Sequence, residues 1–326
     1  MFGSLHKNDW RNSAAHLLLL SKFRSGDSLD RYREAEYWEV VLNENPLNAI
    51  KQFINEGVLE PAGLQILVDY KFKASDLKLL AKDSGLKVSG RKEELIKRLI
   101  EKDEQSMRDA TKGLIMYKCT TEGIQIAENY LERENAKRDA AEQEIIGLLV
   151  KKDFSNAVRI LAQYEASQVF PRGLDIDWKN YDVESGVELL KIIFERTPGI
   201  LKGIEENRLS KLRIAAAMMQ LWGTNTTRHW LPDDFETGIQ LDCDTASRMF
   251  VFHAHHLSNM KSFEDAGIRN VEVSGTSDDM QCPECKKIDG KLFKLEDAPE
   301  LPYAKCTCGM GCRCLLIPED KFWRNS

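Results

Sequence analysis

The sequence predicts a mainly helical, multi-domain protein that ends in a small α+β domain stapled by cysteines. Three observations predict it. Apolar residues recur at the i, i+3, i+4 spacing of buried helix faces along most of the chain. A helix–extended–helix pattern occupies Ser75 to Lys102, and six of the eight cysteines crowd between Cys282 and Cys314. One core usually serves no more than roughly 250–300 residues, so 326 residues imply several units. With 42% apolar and 30% charged residues, the chain has enough apolar surface to build cores and is not of disordered composition.

Residues 1–70 read as a platform of short helices. Ile50, Phe53 and Ile54 form a stripe that ends at Gly57, and Pro61 suits the first turn of a helix through Val68. Residues 71–103 form the helix–extended–helix unit, and 104–170 a helical hairpin or linker. There Leu114 to Cys119 suits a short strand, and Thr120 or Thr121 caps a long helix reaching about Lys151. Its charge-rich middle, Glu132 to Glu144, reads as a solvated face. A second helix, Ser155 to Gln168, carries Ala157, Ile160, Leu161 and Tyr164 on one face, to pack antiparallel on the first. The irregular stretch from Phe170 to Asp182 suggests a domain boundary. A helical middle domain, 171–241, then has helices over Ser185–Glu195 and Pro198–Leu221 and a loop from Gly223 to Pro232. The last domain, 242–326, opens with a helix from Asp244 to Asp265, stopped by Gly267. A strand over Ile268–Val273 leads into the cysteine segment.

The longest early apolar run, Leu17 to Leu20, falls far short of the ~20 residues that span a bilayer. Ser21, Lys22, Phe23 and Arg24 follow it, without a small-residue cleavage site. These features place the protein in the cytoplasm, away from membranes. Net charge is −6, yet residues 71 to 102 hold ten Lys/Arg against five Asp/Glu, so the remainder is more acidic than the total suggests. The positive charge is local.

In that basic stretch Ser75 is a candidate N-cap, Leu77, Leu80 and Ala81 make one apolar face, and Gly85 supplies a stop. Leu86 and Val88 continue as an extended link, and Lys92 opens a second helix with Leu95, Ile96, Leu99 and Ile100 on its apolar face. A unit of ~30 residues is too small to fold alone and is expected to lean on the helices before it. Its polar side gathers Lys87, Ser89, Gly90, Arg91 and Lys92 near a helix start, a set of donors suited to phosphate. The run Ala74–Ile100, with its Asp-Leu-Lys, Gly-Leu, Ser-Gly-Arg-Lys and Glu-Leu-Ile-Lys-Arg-Leu elements, resembles the SAP module. The resemblance implies a helix–extended–helix fold that binds DNA, often at AT-rich sites. It carries the DNA-contacting role to Lys87, Ser89, Gly90, Arg91, Lys92 and Arg98.

Cys282-Pro-Glu-Cys285 has the spacing of a zinc knuckle, and Cys306, Cys308, Cys312 and Cys314 add four more thiols. One tetrahedral Zn2+ needs four, which leaves two spectators or a two-metal cluster. The favoured single set takes Cys282, Cys285, one of Cys306 and Cys308, and one of Cys312 and Cys314, with Gly309 and Gly311 allowing a tight turn. Thiolate-only sites are closed, so the expected role is structural. Isolated Cys119 and Cys243 read as small apolar side chains. The order Gly267, Val271, Asp278 or Asp279, Cys-Pro-Glu-Cys, Asp289-Gly290, Lys291, Phe293, Pro299, Pro302, Cys312-Arg313-Cys314 and Pro318 resembles the C-terminal signature of phage Mu F-like head-morphogenesis (minor head) proteins over about residues 242–320. Met249-Phe250 and Lys305 to Gly311 depart from that pattern. The resemblance implies a bacterial or phage setting and a head-assembly role as an alternative function.

His253 and His256 share a helix face and are the candidate catalytic residues of a further alternative, a metal-dependent nuclease with Asp242, Asp244 or Glu264 nearby. No recognised nuclease spacing frames them, nor does one frame Arg228, His229 and Trp230. No phosphate loop, nucleophile elbow or His-Glu-x2-His motif occurs. The reading therefore leans away from an enzyme. It favours a DNA-binding protein with a structural zinc domain that faces other proteins.

Overall fold

Side-chain caps start many of the helices. A computed structural model describes residues 9–173, 175–227, 229–276 and 278–319; Arg228, weighed above with His229, lies outside them. The fold is mainly helical, as predicted, with two small antiparallel sheets. Its elements form two compact units, Met1–Arg138 and Asp139–Ser326.

In the first unit, α1 (Ala14–Lys22) begins where the Ser13 hydroxyl accepts the His16 N–H. Strand β1 (Asp27–Ser28) leads to α2 (Glu36–Leu42) and α3 (Pro46–Asn55). Asn45 caps α3, and Pro46 occupies its first turn, where a missing N–H costs nothing. Leu19, Leu20, Phe23, Ile50 and Phe53 are fully buried here. Pro61, expected to open a helix, instead ends strand β2 (Leu59–Pro61). This is an edge strand, which tolerates a residue without a donor. Helix α4 (Leu64–Lys71) starts after it, at Gly63.

Next come α5 (Ala74–Asp83), α6 (Lys92–Lys102) and α7 (Glu104–Ala110). Helix α7 was not expected; the Asp103 carboxylate starts it by accepting the Ser106 N–H at 2.9 Å. The predicted strand before the long helix is β3 (Met116–Cys119), the centre of a β1-β3-β2 sheet in which Ser28 faces Met116 and Leu59 faces Cys119. Buried Cys119 donates to the Leu20 carbonyl, and burial holds its thiol up at about 11, which suits its apolar reading. The division between units falls inside α8 (Thr121–Val150).

In the second unit, Ala141, Ile145 and Leu149 of α8 join the core that α9 (Phe154–Ala166) enters through Ala157, Val158 and Leu161. The buried face of α9 is turned from the predicted one, since Ile160 and Tyr164 are only half-buried. The stretch 170–182 lies within this unit. The buried Glu165 carboxylate accepts the Arg172 N–H at 3.0 Å and its Nε–H at 2.5 Å, and the Trp178 indole donates to the Arg172 carbonyl at 2.5 Å. Trp178 then enters the common core. Helix α10 (Val183–Glu195) packs on α9 and α12. The single helix expected from Pro198 is broken: a 3-10 turn at Gly199–Leu201 precedes α11 (Glu206–Trp222), because Glu205 is extended. Helix α11 is buried almost all round, and α12 (Cys243–Asp265) packs along it. Asp242 starts α12 by accepting the Thr245 N–H at 2.6 Å.

The chain then forms β4 (Asn270–Ser274), α13 (Pro283–Ile288), β5 (Leu292–Lys294) and β6 (Leu315–Pro318). The sheet order is β5-β4-β6, with Glu272 between Leu292 and Ile317. Among the described residues no helix is long and apolar enough to cross a membrane.

Candidate nucleic-acid interface and candidate metal centre

Helix α5 begins where the Asp76 carboxylate accepts the Lys73 N–H at 3.0 Å, and it closes at Gly85, whose φ of +69° suits glycine. Leu77 and Ala81 of α5 meet Leu95, Ile96 and Leu99 of α6. Val68 of α4 and Met107 of α7 complete the same core, so support comes from both sides and not from the preceding helices alone. A two-helix unit has too little apolar area to stand without them.

The link between α5 and α6 displays Lys87, Ser89, Gly90 and Arg91 to solvent. Lys92 and Arg98 are half-buried and engaged. The Lys92 ammonium donates to the Asp69 carbonyl at 2.5 Å and pairs with the Asp69 carboxylate at 3.0 Å, tying α6 to α4. The Arg98 guanidinium donates to the carbonyls of Lys87 and Ser89, the latter at 2.7 Å, and pairs with Glu94 at 3.3 Å. Arg98 thus holds the link in shape. Glu93 and Glu94 occupy the first turn of α6, so its N-terminus is less inviting to phosphate than its N–H groups alone suggest.

Gly90 has φ +121°, and a Cβ there would lie 2.2 Å from Glu94 Oε2 and 2.6 Å from an Arg98 nitrogen. Gly90→Ala is expected to cost about 1–2 kcal/mol through strain and a displaced clamp. The check is the urea midpoint of the full chain; an unmoved midpoint would show that Arg98 does not set the link.

All six C-terminal cysteines are buried, and they belong to the core of the second unit. Cys282 is the N-cap of α13 with Pro283 at its first position, which brings Cys285 round one turn later. The sulfurs of Cys282, Cys285, Cys306 and Cys308 lie within 4.8 Å of one another, as do those of Cys285, Cys312 and Cys314. The first group is a four-cysteine cluster able to hold a metal ion. It differs from the favoured sequence set: Cys306 and Cys308 both join the knuckle, because the Cys308 N–H bonds to Cys306 Sγ at 3.4 Å and folds that pair tightly. Gly311, with φ +79°, turns the chain back beneath α12, where a Cβ would lie 2.7 Å from the Met249 methyl.

Backbone donors serve the sulfurs of both groups: Cys282 N–H to Cys308 at 3.2 Å, Thr307 N–H to Cys282 at 3.4 Å and Tyr303 N–H to Cys312 at 3.3 Å. Burial pushes the Cys282 thiol up, but the Thr307 and Cys285 N–H groups outweigh it and hold Cys282 down at about 6. Thiol hydrogen bonds from Cys306 and Cys314 stabilise the Cys312 thiolate and lower it, while both donors are raised. Burial raises Cys285 to about 12. The Asp278 carboxylate grips Arg313 at 2.7 and 2.9 Å, fastening the loop before the knuckle to the last cysteines.

His253 and His256 point into the protein, 2% and 7% exposed. His253 Nε2 lies 3.0 Å from Glu300 Oε1, at pairing distance but out of hydrogen-bond alignment. Asp242 caps the helix and Asp244 accepts from the Thr227 N–H and hydroxyl at 2.6 and 2.8 Å. Asp242 stands eleven residues from His253 along α12, about 16 Å at the helical rise. Among the described residues, the groups whose donor atoms gather closely enough for a metal contain only cysteines. Burial, aided by His253, pushes the His256 pKa down to about 4. The neutral form is therefore the folded form, and its stabilisation is complete above about pH 6.5, the unfolded value. It is lost as pH falls from there toward 4, by up to about 3 kcal/mol. His256→Leu is expected to flatten the fall in denaturant midpoint over that window relative to wild type; equal slopes would refute it.

Residues 71–104 match the SAP domain family. The match covers α5, the link and α6, and the chain accordingly carries a SAP domain in its first unit. No curated protein and no solved structure matches the chain. The likeness of residues 242–320 to Mu F-like head-morphogenesis proteins has no support in these comparisons. Sequence reasoning missed Asp69 as the partner of Lys92; no local signal joins residues twenty-three positions apart.

Proposed function

We propose that the protein binds duplex DNA by docking the SAP-domain link, Lys87 to Arg91, on the phosphate backbone. The observation that carries this reading is the exposure of Lys87, Ser89, Gly90 and Arg91 together on a link inside the matched domain. Lys87 and Arg91 neutralise phosphates, and Ser89 and the backbone around Gly90 donate hydrogen bonds that set register without reading bases. Lys92 and Arg98 act beneath them as positioning residues. The acidic remainder of the chain repels DNA elsewhere and confines contact to this edge.

The C-terminal domain serves as a zinc-stapled scaffold. Four thiolates in a closed site suit zinc better than a hard cation. Six cysteines crowded into one short segment suit a metal site in a reducing cytoplasm better than a disulfide framework. The outer face of its sheet exposes Leu292, Leu315 and Ile317, which favours contact with another protein.

The test is an anisotropy titration of the full chain with a short duplex over a salt series. Binding should weaken with a log–log slope of about −0.9 for each phosphate neutralised, or roughly −2 for Lys87 and Arg91 together. Absent or salt-insensitive binding would overturn the proposal.

A further inference from the structure

The six buried sulfurs do not fit one ion. Zinc–sulfur bonds of about 2.3 Å set tetrahedral sulfurs about 3.8 Å apart, and Cys282 Sγ and Cys306 Sγ stand 3.9 Å apart. Cys282, Cys285, Cys306 and Cys308 saturate that position. Yet Cys312 and Cys314 are each only 2% exposed, and their sulfurs form a second group within 4.8 Å of each other and of Cys285. Cys285 is common to both groups. Cys306 is tied to the second group through Tyr303: the Cys306 N–H donates to the Tyr303 carbonyl at 2.9 Å, and the Tyr303 N–H donates to Cys312 Sγ at 3.3 Å.

Two further observations set Cys312 apart from a spectator. It takes a backbone N–H from Tyr303 at 3.3 Å, the kind of donor that Cys282 takes from Thr307 at 3.4 Å, so both groups are furnished with charge-stabilising donors. Charge points the same way. Six thiolates around one zinc(II) would bury four negative charges, and a second zinc(II) leaves two.

We propose that the segment holds two zinc ions in a thiolate-bridged cluster: Cys282, Cys285, Cys306 and Cys308 surround one ion, Cys285, Cys306, Cys312 and Cys314 the other, and Cys285 and Cys306 bridge. Each ion has four sulfurs and no open position, so the cluster is structural. Each thiol that is still protonated releases its proton to solvent on binding. The inference deepens the zinc-scaffold reading and rests on it.

Native mass spectrometry of the full chain loaded with zinc(II) counts the ions, and alkylation counts the protected thiols. Two zinc ions and six protected cysteines are expected. One ion with four protected cysteines overturns the cluster and leaves the zinc scaffold standing; no ion overturns both. Cadmium-113 NMR of the cadmium-loaded wild-type chain tests the bridges without any variant. Two thiolate-range resonances that split one another are expected, because the metals share sulfur; two unsplit resonances overturn the bridging. Cys314→Ser should remove the second ion and retain the first, and retention of both would overturn the assignment of Cys314.

Discussion

Replacing Lys87 and Arg91 together by Glu is expected to weaken duplex binding on the order of a hundredfold at physiological salt, and to reduce the salt slope by about 2. Both side chains are exposed on the SAP-domain link. The loss should be similar for different DNA sequences, because phosphate contacts carry no base information. Lys92 is left in place because a Glu there would face Asp69, its partner at 3.0 Å, and would separate α6 from α4. Arg98 is left in place because it bonds the carbonyls of the link. The double variant should therefore keep the wild-type circular dichroism spectrum and thermal midpoint. Unchanged affinity in a folded double variant would remove the link as the docking edge.

Removing metal with a strong chelator is expected to lower the melting transition of the second unit by about 10–20 °C. The six cysteines share a core with Phe250, Val273, Ile288 and Leu301, so the staple joins the small sheet to the helices of that unit. Structural zinc binding in small metal-dependent folds is worth about 10–16 kcal/mol, much of it paid back in ordering ligands. A net loss of about 5 kcal/mol from a unit of this size corresponds to the stated shift. Chelated protein, shown metal-free by elemental analysis and unchanged in a calorimetric melt, would show that thiol packing alone holds the segment. Readdition of zinc should restore the transition.

Much of this architecture could be read along the chain because it rests on local chemistry. Thr120, one of the two caps expected for α8, accepts the Gly123 N–H three residues on at 3.3 Å. The α5–link–α6 pattern combines short-range periodicity with a glycine stop. The knuckle Cys282-Pro-Glu-Cys285 needs only one helical turn to bring two sulfurs together. In the same way, local reading identified which residues are basic, which are thiols and where some helices begin, such as α6 at Lys92.

Features that depend on distant partners were not legible. Pro61 belongs to a strand because β3 arrives from more than fifty residues later. The irregular stretch around Trp178 lies in a core because buried Glu165 captures Arg172. Lys92 and Arg98 stand beside Lys87 and Arg91 as cations in the sequence, and only the folded chain brings Asp69 to the one and the link carbonyls to the other. The cysteines were visible as six, but their division into two groups around Cys285 follows from how Gly311 folds the last loop beneath α12. The sequence alone establishes the mainly helical class, the basic link and a thiol-rich segment. The assignment of the link's cations to contact or support, and of the thiols to one metal or two, belongs to the folded chain, because hydrogen-bond geometry and sulfur spacing exist only once remote segments meet.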